Sequence, residues 1–156
     1  MKSNTKELIR SVTLPLVAGG LSAFLTKDGM KAFEYLRKPP LSPPQWIFPV
    51  VWTALYAAMG VAAYQVKTSG APQERIERSL TAYYIQLALN FVWPLLFFGM
   101  GLYLWSFCEL VILWVAAAVT LISFRFIRKN AGGLLIPYVV WLTAALYLNW
   151  GVYVLN

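Results

Sequence analysis

"SLTAYYIQLALNFVWPLLFFGMGLYLWSFCELVILWVAAAVTLISF", residues 79–124, carries a single charge, Glu109, between the flanking Arg78 and Arg125. Drawn as one helix it would be roughly 70 Å long, more than twice the ~30 Å hydrocarbon core of a bilayer. The run must therefore fold back on itself. The natural break is "FGMG" at 98–101, because glycine accepts turn geometry at little cost. The spacing predicts two helices, near 80–98 and 103–126.

The rest of the chain agrees with a lipid setting. It has 156 residues, of which 60% are hydrophobic and 12% charged, and its mean hydropathy is +0.62. A soluble domain of this size cannot hide so much apolar surface. Three more charge-poor windows predict helices at about 7–26, 45–66 and 133–154. The expected fold class is all-α, an integral membrane bundle of five transmembrane helices, forming a single domain over 1–156. The first apolar run follows Lys2, Lys6 and Arg10. It lacks a small-residue cleavage site before a hydrophilic domain, and is read as a retained helix rather than a signal peptide.

Five spans put the termini on opposite sides. Lys2, Lys6, Arg10, Lys67, Arg75, Arg78, Arg125, Arg128 and Lys129, nine cations, fall on the N-terminal side, against four on the other: Lys27, Lys31, Arg37 and Lys38. The positive-inside rule then expects a multi-pass protein of the cell membrane with its N-terminus in the cytoplasm. The net charge of +7 comes from these end-of-helix cations, so nucleic acid is not an expected partner. The chain has no histidine and one cysteine, Cys108. That removes the commonest metal and haem ligand and the usual acid–base group near neutral pH. No metal, no cofactor and no hydrolytic chemistry are expected.

Helical spacing sorts the aromatic residues. Trp52, Tyr56 and Gly60 recur every fourth residue on the second helix. On the third, Gln86, Asn90, Trp93 and Phe97 form one stripe, and on the fifth Tyr138, Trp141, Ala145 and Asn149 follow a similar rhythm. Amides are costly against lipid and belong inside the bundle. The rings on their stripes should then face inward, lining an interior suited to a flat, mostly apolar ligand. Core packing is the competing reading for Trp52, Trp93 and Trp141, and helix gluing for Gln86 and Asn90. Trp46, Trp105 and Trp150 read as interface anchors, Trp114 as lipid-facing or packed, and Cys108 as a small buried hydrophobe or a pocket residue. Glu109 sits either at the interface or inside.

The approach to the second helix, "KPPLSPPQWIFPVVWTALY" at 38–56, places four prolines in six residues, Pro39 to Pro44. Proline fixes φ and holds its predecessor extended. This segment is expected to be a stiff strap, with the loop 27–44 serving as a cover over the interior.

Three blocks, "KPPLSPPQWIFPVVWTALY", "QLALNFVWPLLFFG" (86–99) and "IPYVVWLTAALYLNW" (136–150), resemble the translocator protein family, also called the peripheral benzodiazepine receptor or tryptophan-rich sensory protein family. The chain looks like a bacterial member. The resemblance implies a five-helix bundle, usually a homodimer, that binds porphyrins, sterols and aromatic drug-like ligands in a pocket under the loop between helices 1 and 2. Transport, sensing or light-dependent oxidative breakdown of protoporphyrin are attributed to such proteins. Carried over, Trp52, Asn90, Trp93 and Trp141 match pocket positions of the family, and Pro43, Pro44 and Trp46 its "PPxW" loop. With their stripe partners Tyr56, Phe97 and Ala145, and with Cys108, these make the candidate ligand-binding set. Trp52 and Trp141 are the candidate redox pair should the chain act as an enzyme. The alternative is a sterol- or lipid-binding transporter, or a regulatory partner without catalysis.

Overall fold

The structure is a computed structural model that describes residues 2–156, with side chains from Asn4 onward. Met1, within the expected domain, and the side chain of Lys2, among the cations used for topology, lie outside the described set. The helices are α1 (Lys2–Leu25), α2 (Lys27–Phe33), α3 (Ile47–Lys67), α4 (Gln73–Pro94), α5 (Tyr103–Ile127), α6 (Lys129–Leu134) and α7 (Ile136–Leu155). A π-helical turn, Leu95–Gly99, extends α4. Among the described residues there is no strand. Among the described residues, five stretches are long and apolar enough to cross a membrane: Asn4–Leu25, Ile47–Lys67, Gln73–Gly99, Tyr103–Ile127 and Lys129–Leu155.

The fold-back occurs at the glycines. Gly101 takes φ 64°, and the Met100 and Leu102 amides donate back to the Leu95 and Leu96 carbonyls. Two boundaries differ from the sequence expectation. Residues 73–79 were expected in a polar loop, yet they form the first turns of α4, which extends toward water beyond the apolar window. Pro72, extended at φ −52° and ψ 135°, starts it, and Ile76 and Ser79 turn inward. The last span, expected as one helix from 133, begins at Lys129, because Arg128 ends α5 at an extended φ of −150°, and it is divided into α6 and α7 at Leu135, just ahead of Pro137.

α1 packs on α3, while α5 packs against α4, α6 and α7. Close approach has identifiable causes. A Cβ on Gly60 would collide with the backbone of Val12 and Ser11, so glycine lets α3 meet α1. At the same end Lys67 reaches Glu7 at 3.1 Å and donates to the Ser11 hydroxyl at 3.2 Å. α2 rests on the π-turn, where a Cβ on Gly29 would meet the Phe98 carbonyl.

Two buried polar clusters tie the other helices together. The Tyr56 hydroxyl donates to Asn90 Oδ1 at 2.9 Å. Asn90 Nδ2 donates to the Tyr138 hydroxyl at 2.6 Å, which donates to Gln86 Oε1 at 2.7 Å. α3, α4 and α7 are thereby joined. In the second cluster Asn149 Oδ1 accepts from the Trp93 indole and the Ser106 hydroxyl, each at 3.0 Å. Asn149 Nδ2 donates to the Tyr103 carbonyl at 2.8 Å. Replacing Asn90 by leucine leaves the buried Tyr56 hydroxyl without its acceptor and takes a donor from Tyr138, which keeps its bond to Gln86. The expected loss is about 1–2 kcal/mol of stability, the scale of interhelical hydrogen bonds in bilayers, read as a lower midpoint in reversible unfolding in mixed micelles.

Candidate functional site

A cavity of about 400 Å³ lies between α1, α2, α3 and the end of α4. α1 supplies Gly19, Ser22 and Ala23; α2 and the residue after it supply Met30, Phe33 and Glu34. Gln45, Trp46, Phe48, Pro49, Trp52 and Tyr56 form the α3 wall, and Trp93, Pro94 and Phe98 the α4 wall. Ala23, Glu34, Trp46 and Pro49 are exposed, which places the mouth on the side of the bundle. Largely apolar space of this size is in the range that holds small organic ligands.

Three polar groups on this wall are already engaged, while the buried Gln45 Oε1 has no hydrogen-bond partner and Glu34 stands at the exposed mouth. The Ser22 hydroxyl donates to the Phe91 carbonyl at 3.2 Å, the Tyr56 hydroxyl to Asn90, and the Gln45 amide nitrogen to the Met30 carbonyl at 2.8 Å. The wall therefore offers mainly ring faces and edges. Trp52 stacks on Tyr56 with ring centres 5.5 Å apart and planes at 28°. Trp93 stacks on Phe97 at 5.0 Å, and Phe33 meets Phe48 and Phe98 edge-on at 6.1 Å and 5.4 Å. Such packing fixes each ring before any ligand arrives, so little conformational entropy is lost on binding. No group of three or more Cys, Asp or Glu side chains able to hold a metal occurs among the described residues.

The structure brings together Trp46, Trp52, Tyr56 and Trp93 of the candidate set on the cavity wall. Asn90, Phe97, Trp141 and Ala145 point inward but stand behind that wall. Asn90 is fully used in the Tyr56–Tyr138 cluster, Phe97 backs Trp93, and Trp141 meets Trp52 edge-on at 6.4 Å and 88°. Cys108 is exposed on α5 and is outside the cavity. That corrects the reading of it as buried, since its side chain falls on the outward face between Trp105 and Ile112. Glu109, one residue on, is the buried member of that turn. Trp114 is half-buried and donates to Thr143 Oγ1 at 3.0 Å. Trp46, Trp105 and Trp150 are exposed.

Within loop 27–44 the wall is formed by α2, whereas Pro43 and Pro44 are not among the lining residues. Sequence reasoning missed the α1 contribution and most of α2. α1 carries no aromatic–amide stripe, since its share of the wall is small residues.

A family model described as "TspO/MBR family" matches residues 11–155. The tryptophan-rich protein TspO of Chlorobaculum tepidum is 36% identical over 135 residues, covering 86% of this chain and 85% of the relative. The translocator protein of Ovis aries is 38% identical, covering 81% of this chain and 76% of its own length. The tryptophan-rich sensory protein of Cereibacter sphaeroides is 37% identical, over 80% of this chain and 76% of its own. With its five membrane-crossing helices and a match that spans nearly its whole length, this chain is a multi-pass membrane protein that belongs to the TspO/MBR family.

Proposed function

We propose that this protein binds planar, largely apolar tetrapyrroles of the protoporphyrin type in the cavity between α1, α2, α3 and α4. It would do so as a homodimer in the cell membrane, with its N-terminus cytoplasmic, in the service of tetrapyrrole transport or sensing. One observation carries the reading: a cavity of about 400 Å³ whose walls include Trp46, Trp52, Trp93, Phe33, Phe48 and Phe98, with the Ser22 and Tyr56 hydroxyls turned into bonds of their own and Gln45 Oε1 left as a buried acceptor without a partner. A flat π-system gains from stacked and edge contacts on such walls, about 0.5–1.5 kcal/mol for each aromatic pair beyond area burial. The lateral mouth lets polar edge groups stay outside while the ring system is covered. Sterols and aromatic drug-like molecules share the apolar requirement but present fewer flat faces to the rings.

Trp52→Leu removes a ring from the wall while leaving the Asn90 cluster intact. Protoporphyrin titrated into reconstituted protein, followed by its visible absorbance, should bind roughly 2- to 13-fold more weakly to this variant, the factor that 0.5–1.5 kcal/mol represents. Equal affinity in wild type and Trp52→Leu would remove the cavity from the account.

The contact between Trp52 and Trp141 favours a second reading, photo-oxidative breakdown of the bound pigment with dioxygen as oxidant. The excited pigment does the demanding chemistry, and the adjacent indoles supply oxidisable neighbours. Under illumination, protoporphyrin absorbance should fade faster with wild type than with Trp52→Phe or Trp141→Phe at matched occupancy. Fading equal to that in empty micelles rules this activity out.

A further inference from the structure

The proline segment does not lie across the end of the bundle. Its contacts descend along α7. At the top, the Arg37 amide donates to Asn156 Oδ1 at 3.1 Å, and Asn156 Nδ2 donates back to the Arg37 carbonyl at 2.8 Å. Lower down, Pro39 is buried against Gly151, where an added Cβ would strike its ring. Lower again, the Pro40 carbonyl accepts from the Tyr147 hydroxyl at 2.7 Å. From Asn156 to Tyr147 the helix drops roughly 13 Å, at ~1.5 Å per residue. Tyr147 belongs to the membrane-crossing stretch Lys129–Leu155 and lies on the side of Trp150 away from the helix end. The opposite wall gives the same depth. Asn149 bonds the Tyr103 carbonyl, so Trp105, 68% exposed, stands near the level of Tyr147.

At the bottom of this descent the chain turns. The Ser42 hydroxyl closes the turn on the Pro39 carbonyl at 2.6 Å, and Leu41 takes φ 68° with 95% of its surface exposed. A left-handed leucine costs roughly 1–2 kcal/mol, and a turn facing water would favour glycine or asparagine there with a polar tip. In hydrocarbon the requirement is different. Each unpaired backbone N–H costs several kcal/mol, so the best strap is one with few N–H groups. Of the ten residues 37–46, four are proline, and the carbonyls of Pro39 and Pro40 are both bonded by side chains.

We propose that Pro39–Pro44 is a re-entrant lipid anchor that dips from the α2 side of the bundle into the boundary between headgroups and acyl chains. Leu41 is its tip among the acyl chains. Arg37, at the level of Asn156, marks its upper end at the lipid phosphates. The partner is the protein's own bilayer, and the anchor holds the base of α2 and the start of α3 at fixed depth.

The test uses the full chain with Cys108→Ser, in vesicles of phosphatidylethanolamine and phosphatidylglycerol in equal parts. A nitroxide is attached at Leu41→Cys, Tyr35→Cys, Val115→Cys on the lipid face of α5, or Gln73→Cys near the polar end of α4. Collision rates with dioxygen, which concentrates in lipid, and with a water-soluble nickel chelate report depth. Leu41 should favour dioxygen strongly, approaching Val115, while Tyr35, 88% exposed at the upper end, should resemble Gln73. Leu41 and Tyr35 reading alike and water-accessible would overturn the anchor in favour of a cover lying in the aqueous phase. Both side chains are exposed, so their replacement removes no packing. Should Leu41→Cys still fail to insert, Pro40→Cys, at an exposed position bonded through its backbone carbonyl, gives the same reading one residue away, and an aqueous signal there overturns the anchor equally.

Discussion

Hydrocarbon offers no hydrogen bonds, and this constraint organises the interior more than any single contact. Gln86, Asn90 and Asn149 are buried, and each would be costly facing lipid. They find their partners in one another's neighbours: two tyrosine hydroxyls, a tryptophan indole and a serine hydroxyl. The geometry is directional. Asn90 accepts with its oxygen from Tyr56 and donates with its nitrogen to Tyr138, so no other assignment of the amide satisfies both phenols and leaves Tyr138 free to donate to Gln86. Once these bonds are made, the register of α4 against α3 and α7 is set, as is the rotation of each helix about its axis.

The cavity follows from that rotation. Tyr56 must point its hydroxyl at Asn90, so its ring flank becomes wall, and Trp52, one turn before it, stacks on that flank and faces the same space. Trp93 is held by Asn149 and turns its ring toward the α1 side. The polar clusters and the ring-lined space are thus two sides of one arrangement. Amides on one side consume the polar ends of the rings, and the apolar faces are left over on the other. α1 closes the space because Gly60 admits it close to α3 and Lys67 holds its polar end.

The sequence made the five spans legible because a charge-free run is read against a fixed thickness, and one run was too long to be a single helix. It also made the inward stripes legible, since amides mark the inside. The division of those stripes between wall and backing was not legible. Asn90 shares the inward stripe of α4 with Trp93, a wall residue, and Trp141 and Ala145 lie on the inward face of α7, which gives the cavity none, but periodicity reports only which way a side chain points. It does not say whether another helix or empty space lies in front. Gly19 and Ala23 line the cavity because they are small, and smallness has no period. Cys108 was misplaced for a related reason: an apolar residue on an apolar helix carries no sign of which face it occupies, and only Glu109 beside it marked the inside.

The same accounting of polar groups explains why a stiff segment precedes α3. Prolines are usually discussed for what they do to φ, but in lipid the missing N–H matters as much. A chain that descends beside α7 without helical or sheet pairing must leave its amides unpaired, hide them, or not have them. Pro39, Pro40, Pro43 and Pro44 have none to hide, and the Tyr147 hydroxyl supplies the bond that the Pro40 carbonyl would otherwise lack. Stiffness then comes as a consequence of solvation. It also separates two roles that loop 27–44 invites one to merge. α2, which has its own helical hydrogen bonds, closes the cavity, and the proline strap fixes how deep that closure sits.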